Sequence, residues 1–326
     1  MRVLVTGGRG LLGEAVVAEL VTRGHAVTSF QRTSAGARPG VVEILGDIGD
    51  AQAVAAAVRD HDAVVHLAAH VAMTGPWSAF ERVNVDGTRH VVDAAATAGI
   101  GRIVHVSSPS VAHTGTALAG VGAEPADPEH ARGHYARSKA LAERLVLAKA
   151  PADIAVAVVR PHLVWGPGDT QLVGPIVERA RTGRLFLIDH GRALVDTLFI
   201  DNAGPAIAQA LERAHLDEVD RRPLVVTNAE PRTLAELIEG ICRASGTAGP
   251  RRSLPYPIAR LAGYGVEHAW QLLGRTDDPP VTRFLAEQLA TAHWFDQRAT
   301  QSALGWRPAV TVDEGLRRLA DWYERV

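Results

Sequence analysis

Cysteine is nearly absent from this sequence, which has a single residue of that type, Cys242, in 326 positions. One cysteine excludes an internal disulfide and a zinc site built from cysteines, and it fits a reducing compartment. No uninterrupted apolar stretch approaches the roughly 18 residues that a membrane-spanning helix needs. Met1 passes almost directly into the apolar segment Val3–Val5, so we expect no signal or transit peptide. These absences predict a cytoplasmic protein without a transmembrane segment.

An excess of charge of either sign is absent as well. The formal net charge is −2, charged residues make up 21% of the chain, and hydrophobic residues make up 47%. This balance is ordinary for a globular enzyme and offers no electrostatic footprint for nucleic acid or an anionic membrane. The length suits one large α/β unit or two coupled lobes.

Lysine is the scarcest charged residue, because only Lys139 and Lys149 accompany 32 arginines. Lys139 follows Tyr135, one of four tyrosines, by one helical turn in a run of good helix formers. The phenol and the ammonium therefore lie on one helix face. An ammonium beside a phenol can lower its pKa, which would make the tyrosine a proton donor and acceptor near neutral pH. We interpret the pair as catalytic, and an exposed helix face is the alternative.

Short β-branched runs alternate with alanine-rich helical stretches over the first 160 residues. The expected strands are Val3–Thr6, Ala26–Phe30, Val42–Leu45, Ala63–Leu67, Ile103–Ser107 and Ala155–Val159. The expected helices are Leu11–Arg23, Ala51–Arg59, Ala79–Ala98 and Tyr135–Ala148. Such alternation predicts an α/β fold, a Rossmann-type doubly wound parallel sheet with helices on both faces.

The regular alternation of strand and helix candidates ends after Pro161. Loops and short strands are expected at Trp165–Asp169 and Ala193–Asp201, with the following further elements: helices Pro175–Thr182, Ala203–Ala214, Leu234–Ala244 and Asp313–Glu324, and strand Leu224–Thr227. We expect a dinucleotide-binding domain over residues 1–165, with a strand and a helix returning to it around 193–245. Most of residues 166–326 would form a smaller, interwoven α/β substrate lobe.

A glycine-rich loop, Thr6–Gly13, directly follows the first strand and opens the first helix. Glycines at positions 7, 10 and 13 allow a tight turn, a close approach to a pyrophosphate and close packing of the helix on the strand. The helix N-terminus then offers unpaired N–H groups to the phosphates. At the end of the third strand, Asp47 and the adjacent Ile48 are candidates to contact the adenine, and capping the next helix is the alternative role of Asp47.

The end of the second strand bears on the choice of cofactor. NAD sites usually place a carboxylate there, but the strand Val27–Phe30 runs into Gln31 and Arg32, with no acid before Glu43. An arginine can bind a 2′-phosphate bidentately, and Arg9 adds a second cation. We therefore predict NADP(H) rather than NAD(H).

Together these residues resemble the extended short-chain dehydrogenase/reductase superfamily over nearly the whole chain. The shared segments are Thr6–Gly13, Asp47, His66–Ala69, Asn84–Thr88, Ser107-Ser108 and Tyr135 with Lys139. Within the superfamily, Arg160–Asp169 and Val195–Asn202 resemble the 3β-hydroxysteroid dehydrogenase-like branch. More narrowly, Ser108–Val111, Pro279–Leu289 and His293–Phe295 resemble the 3-ketone reductases of bacterial long-chain olefin synthesis, whose substrates are 2-alkyl-3-oxoalkanoic acids.

The resemblance implies a role for each matched residue. Tyr135 would donate the proton in reduction, Lys139 would bind the nicotinamide ribose, and Ser108 would hydrogen-bond the reacting oxygen. Asn84 would support a strand–helix junction or a proton relay. The full set of expected cofactor-binding residues is Gly7, Arg9, Gly10, Leu11, Leu12, Gly13, Gln31, Arg32, Asp47, Ile48, Ala68, Ala69, Asn84, Ser107, Tyr135, Lys139, Pro161, Leu163 and Val164. The resemblance also implies a homodimer formed through the helices Ala79–Ala98 and Tyr135–Ala148.

Three function classes follow from these residues. The favoured one is an NADP(H)-dependent oxidoreductase that reduces a 3-oxo group, or oxidises a 3-hydroxy group, of a hydrophobic substrate such as a 2-alkyl-3-oxoalkanoate; a sterol dehydrogenase is an alternative of the same kind. The second is an NAD-dependent sugar-nucleotide epimerase or dehydratase, and the third is a non-catalytic dinucleotide sensor. The segment Leu254–Gly274 is a lid helix or an apolar substrate wall, with Arg260, His268 and Arg283 as candidates for binding a substrate carboxylate.

The histidines do not form a metal-binding pattern. The pairs His66/His70 and His130/His134 have helical i,i+4 spacing, but neither belongs to a His-Glu-x-x-His motif. We expect His66 and His162 to be packed at the edge of the core rather than to take part in catalysis.

Overall fold

The structure is a computed structural model that describes residues 1–72, 74–272 and 282–326. Its strands are β1 (Arg2–Thr6), β2 (Ala26–Gln31), β3 (Val41–Leu45), β4 (Ala63–His66), β5 (Arg102–Val106), β6 (Leu118–Val121), β7 (Ala155–Pro161), β8 (Val164–Trp165), β9 (Leu187–Ile188), β10 (Leu194–Val195), β11 (Leu198–Phe199), β12 (Pro223–Val226), β13 (Arg232–Thr233), β14 (Ser253–Leu254) and β15 (His293–Phe295). Its α-helices are α1 (Leu11–Thr22), α2 (Ala51–Val58), α3 (Trp77–Phe80), α4 (Gly87–Ala98), α5 (His134–Lys149), α6 (Val173–Arg181), α7 (Ile200–Arg213), α8 (Leu234–Ala244), α9 (Tyr256–Leu272), α10 (Arg283–Ala290), α11 (Arg298–Leu304) and α12 (Val312–Tyr323).

The main sheet has seven strands in the order β12-β7-β5-β4-β1-β2-β3, and all of its pairs are parallel. The strand order reverses at β1, which lies between β2 and β4. The expected Rossmann-type doubly wound sheet is thus confirmed, and the expected return of a later strand to it is met by β12. In such sheets ligands bind beyond the carboxyl ends of the strands, at the point where the order reverses.

The long helix expected over Ala79–Ala98 is interrupted. α3 ends at Phe80, a π-helical segment follows over Glu81–Asp86, and α4 begins at Gly87. Within the π segment the Asn84 carbonyl accepts a hydrogen bond of 2.6 Å from the Thr88 hydroxyl. π segments inside helices are rare and often occur at functional sites. This one places the Asn84 side chain toward α5, where its Nδ2 donates to Ser138 Oγ.

In the part of the chain that the structure describes, three small sheets lie outside the main one, and of their strands only those at Val164–Trp165, Leu194–Val195 and Leu198–Phe199 fall in or beside the segments where short strands are expected. Their strand orders are β13-β10-β15-β6, β11-β8 and β14-β9. Several of these strands are only two residues long, which is too short for a periodic pattern of side chains. One buried apolar cluster nevertheless joins β1 to the later helices, because Val3, Trp165, Leu237 and Leu319 all belong to it. Within the described residues, no helix is long and apolar enough to cross a membrane.

A buried ion pair fastens α5 to β7. Glu143 and Arg160 are each 1% exposed, and the guanidinium binds the carboxylate through Nε at 2.9 Å and Nη2 at 2.5 Å. The remaining nitrogen, Nη1, donates to the Glu124 carbonyl at 2.7 Å. Two parallel N–H···O bonds fix the geometry as well as the distance. Because Tyr135, Lys139 and Glu143 follow each other at one-turn intervals, the pair also fixes the helix face that carries the expected catalytic residues.

We expect Glu143→Ala to lower the free energy of unfolding by about 3–5 kcal/mol, since it leaves the Arg160 guanidinium buried without its carboxylate. Urea denaturation followed by circular dichroism measures the change. Glu129→Ala is the matched control, because Glu129 pairs with Arg144 at 2.8 Å while its side chain is 61% exposed. The control should lose less than about 1 kcal/mol. Equal losses in the two variants would contradict this account of the buried pair.

Candidate active site

A cavity of about 710 Å³ opens beyond the carboxyl ends of the central strands. Every residue of the expected catalytic and cofactor-binding sets borders it except Asn84, whereas the candidates for a substrate carboxylate, Arg260, His268 and Arg283, are not part of its lining. Its lining includes Gly7, Arg9, Gly10, Leu11, Leu12, Gly13, Gln31, Arg32, Asp47, Ile48, Ala68, Ala69, Ser107, Ser108, Tyr135, Lys139, Pro161, Leu163 and Val164. Segments that are far apart in sequence therefore meet at one place, where the strand order reverses.

The glycine-rich loop is shaped to receive a bulky anionic group. Gly7 has φ +76°, and a Cβ there would lie 2.8 Å from the Ala68 backbone nitrogen. A Cβ on Gly10 would have no neighbour nearer than 3.9 Å, so the loop leaves open space on the cavity side. No side chain caps α1, and its first helical bond runs from the Glu14 nitrogen to the Gly10 carbonyl. The free N–H groups of this first turn fit the pyrophosphate of a dinucleotide.

Two arginines and two neutral polar residues border the cavity at the end of β2. They are Arg9, Arg32, Gln31 and Thr33. Arg9 Nη1 donates to the Thr33 hydroxyl at 2.9 Å. Arg32 is exposed and makes no side-chain hydrogen bond to the described residues. Its guanidinium is therefore available to an anionic ligand.

An acid does lie near the end of β2, which the order of residues along the chain does not reveal. The parallel register pairs Ser29 with Glu43 on β3. The Glu43 carboxylate accepts hydrogen bonds from Gln31 Nε2 at 2.6 Å and from the Ala35 nitrogen at 2.8 Å. A hydrogen bond from the Ser34 side chain, with these two, lowers the pKa of Glu43. Gln31 borders the cavity and Glu43 does not. The Glu43 carboxylate therefore lies behind the Gln31 side-chain amide, to which it is hydrogen-bonded.

Asp47 is not a helix cap, so that alternative is wrong. Its Oδ1 accepts from the Gly49 nitrogen at 2.8 Å, and its Oδ2 pairs with Arg82 at 3.0 Å. The residue that caps α2 is Asp50, whose side chain accepts hydrogen bonds from the backbone nitrogens of Gln52 and Ala53. Asp47 borders the cavity, where a carboxylate can accept a hydrogen bond from an adenine amino group.

The three expected catalytic residues converge on the cavity from two elements. Ser108 caps a short 3-10 turn directly after β5, and Tyr135 and Lys139 lie on α5. Lys139 is 3% exposed, and its ammonium donates a 2.6 Å hydrogen bond to the Val106 carbonyl at the end of β5. The lysine thus ties the catalytic helix to the strand that carries the serine.

The pKa of Tyr135 is not lowered as the sequence suggests. Burial raises it to about 12, against the opposing effect of a hydrogen bond from the Ser108 side chain. Burial also lowers the pKa of Lys139 to about 8, against the opposing charge of Glu143. The cause is the surroundings, since loss of water penalises the charged form of each group. Tyr135 therefore keeps its proton at neutral pH, as a proton donor must, and Lys139 is charged only below about pH 8.

Asn84 is not part of the cavity lining and links α5 to the loop that follows β4. Its Nδ2 donates to Ser138 Oγ at 2.8 Å and to the His70 carbonyl at 3.1 Å, and its Oδ1 accepts from the His70 nitrogen at 2.7 Å. Ser138 in turn donates to the Tyr135 carbonyl at 2.8 Å. The side chain thus braces the turn that holds Tyr135, and a direct contact with a cofactor stays a prediction.

His66 and His162 are packed, as expected. His66 is 1% exposed, with Nδ1 at 2.8 Å from Thr6 Oγ1 and Nε2 at 3.0 Å from Thr88 Oγ1. Burial lowers its pKa to about 3, so it is neutral. The ring of His162 lies edge-on to that of Phe295, with 5.2 Å between the ring centres. Among the described residues, no group of three histidine, cysteine, aspartate or glutamate side chains is placed to hold a metal ion.

Besides the position of Glu43, two features of the site are not indicated by the sequence pattern. One is the ion pair of Glu143 and Arg160, although the one-turn spacing from Lys139 to Glu143 is visible in the sequence. The other is Ser110, whose hydroxyl donates to Ser108 Oγ at 2.9 Å. Ser110 stands two positions after Ser108, and only the 3-10 turn brings the two hydroxyls together.

Comparison with known proteins places this geometry in a family. A family model described as the NAD dependent epimerase/dehydratase family matches residues 3–222. The chain belongs to that family. It is an oxidoreductase of the extended short-chain dehydrogenase/reductase superfamily, which confirms the expectation from the glycine-rich loop and from Tyr135 with Lys139.

Proteins similar to this chain align with nearly its whole length. The 2-alkyl-3-oxoalkanoate reductase of Stenotrophomonas maltophilia (strain K279a) is 41% identical over 324 residues, which cover 98% of each chain. The Homo sapiens sterol-4-alpha-carboxylate 3-dehydrogenase, decarboxylating, is 29% identical, covering 97% of this chain and 87% of its own. The crystal structure of UDP-glucuronic acid 4-epimerase from Bacillus cereus in complex with NAD has a TM-score of 0.75 at 17% identity, covering 100% and 99% of the two chains, and shares the fold.

Proposed function

We propose that this enzyme is an NADP(H)-dependent ketone reductase whose substrate is a hydrophobic 3-oxo acid of the 2-alkyl-3-oxoalkanoate type. The observation that carries the proposal is the convergence of Ser108, Tyr135 and Lys139 on the cavity that the glycine-rich loop also borders. A relative that is 41% identical over nearly the full length bears the name 2-alkyl-3-oxoalkanoate reductase, which supports this substrate class.

The residues of this chain divide the chemistry of ketone reduction among them. A bound NADPH would supply the hydride that attacks the carbonyl carbon. The Tyr135 hydroxyl gives its proton to the carbonyl oxygen, and the Ser108 hydroxyl donates a hydrogen bond to the same oxygen as negative charge develops there. Lys139, positively charged below about pH 8, binds the ribose and stabilises the phenolate that proton transfer leaves. Tyr135 recovers its proton from solvent, and the products are the alcohol and the oxidised cofactor.

The preference for NADP(H) rests on the residues at the end of β2. Arg9 and Arg32 both border the cavity there, and Arg32 is exposed. The nearby Glu43 carboxylate is engaged by Gln31 Nε2 at 2.6 Å, which turns this acid away from the role of binding a ribose hydroxyl. A guanidinium with no competing hydrogen bond can bind a 2′-phosphate bidentately.

The later part of the chain would supply the substrate lobe. We propose that residues 1–165 form the cofactor domain, with the returning segment around 193–245, and that most of residues 166–326 bind the substrate. The segment expected to be a lid helix or an apolar substrate wall is helical over α9. Leu273 and Gly274 of that segment, and positions 279–281 of the segment that resembles the 3-ketone reductases, lie outside the described residues. Arg283 pairs with Glu267 at 2.7 Å, so it is a weaker candidate for a substrate carboxylate than the exposed Arg260. A homodimer through α4 and α5 stays a prediction.

The proposed reduction has a direct test in the Tyr135→Phe variant. Wild-type protein should oxidise NADPH when a 2-alkyl-3-oxo acid is added, and Tyr135→Phe should lower kcat about 10²–10⁴-fold because the proton donor is lost. Absorbance at the reduced-nicotinamide band measures turnover, and equal NADPH binding by the two proteins shows that the site is intact. Unchanged turnover in the variant would refute the catalytic assignment. NAD retained through purification, with no net cofactor turnover, would favour a sugar-nucleotide epimerase instead.

The proposed cofactor preference has its own test in Arg32→Ala. We expect wild type to prefer NADPH, and the variant to bind NADPH about 10–100-fold more weakly, since a charge-assisted bond to the 2′-phosphate is lost. Binding of NADH, which has no such phosphate, should change by less than about twofold. Fluorescence titration of both cofactors measures this, and Arg243→Ala, an exposed arginine on α8, is the control. A wild-type preference for NADH would contradict the assignment.

A further inference from the structure

Ser110 lies against the hydroxyl group that the proposed reaction uses. Its own hydroxyl donates to Ser108 Oγ at 2.9 Å, and its backbone nitrogen donates to the same oxygen at 3.3 Å. The Ser108 side chain also interacts with the Tyr135 phenol, whose pKa this contact lowers. A row of hydroxyl groups thus runs from Ser110 through Ser108 to Tyr135.

The hydrogen-bonding capacity of a serine hydroxyl makes this arrangement directional. A hydroxyl has one proton to donate and two lone pairs to accept with. Both lone pairs of Ser108 Oγ face donors from Ser110, so its proton is left for the phenol or for a substrate oxygen. Hydrogen bonds in a row also polarise one another, which strengthens the last donor. The last donor here is the one that would meet the charge developing on the carbonyl oxygen.

The 3-10 turn that carries Ser110 is held firmly in place. Pro109 has a fixed φ at its first position, and the Val111 nitrogen bonds the Ser108 carbonyl at 3.2 Å. The side chain of Val111 is 1% exposed and packs with Ala126 and Ala140, the second of which follows Lys139 on the catalytic helix. Because the turn is anchored to α5 in this way, the distance between the two hydroxyls is set before any ligand binds.

We propose that Ser110 is a positioning residue, which orients and polarises the Ser108 hydroxyl toward the reacting carbonyl oxygen. This inference rests on the proposed ketone reduction, because it assigns Ser110 a role through Ser108 in that reaction. Ser110 itself is not among the residues that line the cavity, whereas Ser108 is.

A double-mutant cycle separates action through Ser108 from a merely structural role. It compares wild type, Ser108→Ala, Ser110→Ala and the double variant in ketone-dependent oxidation of NADPH. Ser110→Ala should lower kcat about tenfold in the wild-type background, with KM for NADPH unchanged, and by less than about twofold in the Ser108→Ala background. Ser110→Thr keeps the hydroxyl and should restore most of kcat. Ser302→Ala, an exposed serine on α11, should leave kcat unchanged.

The outcomes distinguish this inference from the proposed function. An equal loss of kcat from Ser110→Ala in both backgrounds, or no loss in the wild-type background, would overturn the role of Ser110 while ketone reduction stands. A wild-type protein that reduces no ketone would overturn the proposed function, and the inference with it. Failure of Ser110→Thr to recover activity, when its thermal midpoint equals that of wild type, would also overturn the inference.

Discussion

The buried ion pair between Glu143 and Arg160 is the interaction on which the geometry of the site depends. Glu143 lies two helical turns beyond Tyr135 on α5, and Arg160 directly precedes Pro161 at the end of β7. Each side chain is 1% exposed, so neither charge has water as an alternative partner. The pair therefore holds the catalytic face of α5 in a fixed relation to the Pro161–Val164 segment, which borders the other side of the cavity.

Three hydrogen bonds complete the arrangement around that ion pair. Lys139 bonds the Val106 carbonyl, Asn84 braces Ser138, and Ser110 directs the hydroxyl of Ser108. The first two contacts join α5 to the end of β5 and to the π segment, and the third lies within the turn that follows β5. Burial of the whole group explains why Tyr135 keeps its proton, with a pKa of about 12, and why Lys139 is easily neutralised, with a pKa of about 8. At neutral pH Tyr135 carries its proton, and the pKa of Lys139 lies close to that pH. This combination suits reduction of a ketone, because the reaction consumes one proton.

Features that depend on neighbouring residues could be predicted from the sequence, and features that depend on contacts between distant segments could not. The glycine-rich loop and the spacing of Tyr135 and Lys139 are local, and the structure places them as expected. The position of Glu43 depends on the register of β2 with β3, and the effect of burial on Tyr135 depends on the surrounding fold. The π segment around Asn84 and the two-residue strands leave no periodic pattern in the sequence.

Transfer of deuterium tests the central claim most directly, because it follows the hydride itself. NADPH that carries deuterium at both hydrogens of the nicotinamide C4 is mixed with the enzyme and a 2-alkyl-3-oxo acid, and the product is analysed by mass spectrometry and NMR. The account predicts one deuterium at C3 of the alcohol and one oxidised cofactor for each alcohol formed. An unlabelled product, with the cofactor returned to its starting oxidation state, would contradict it.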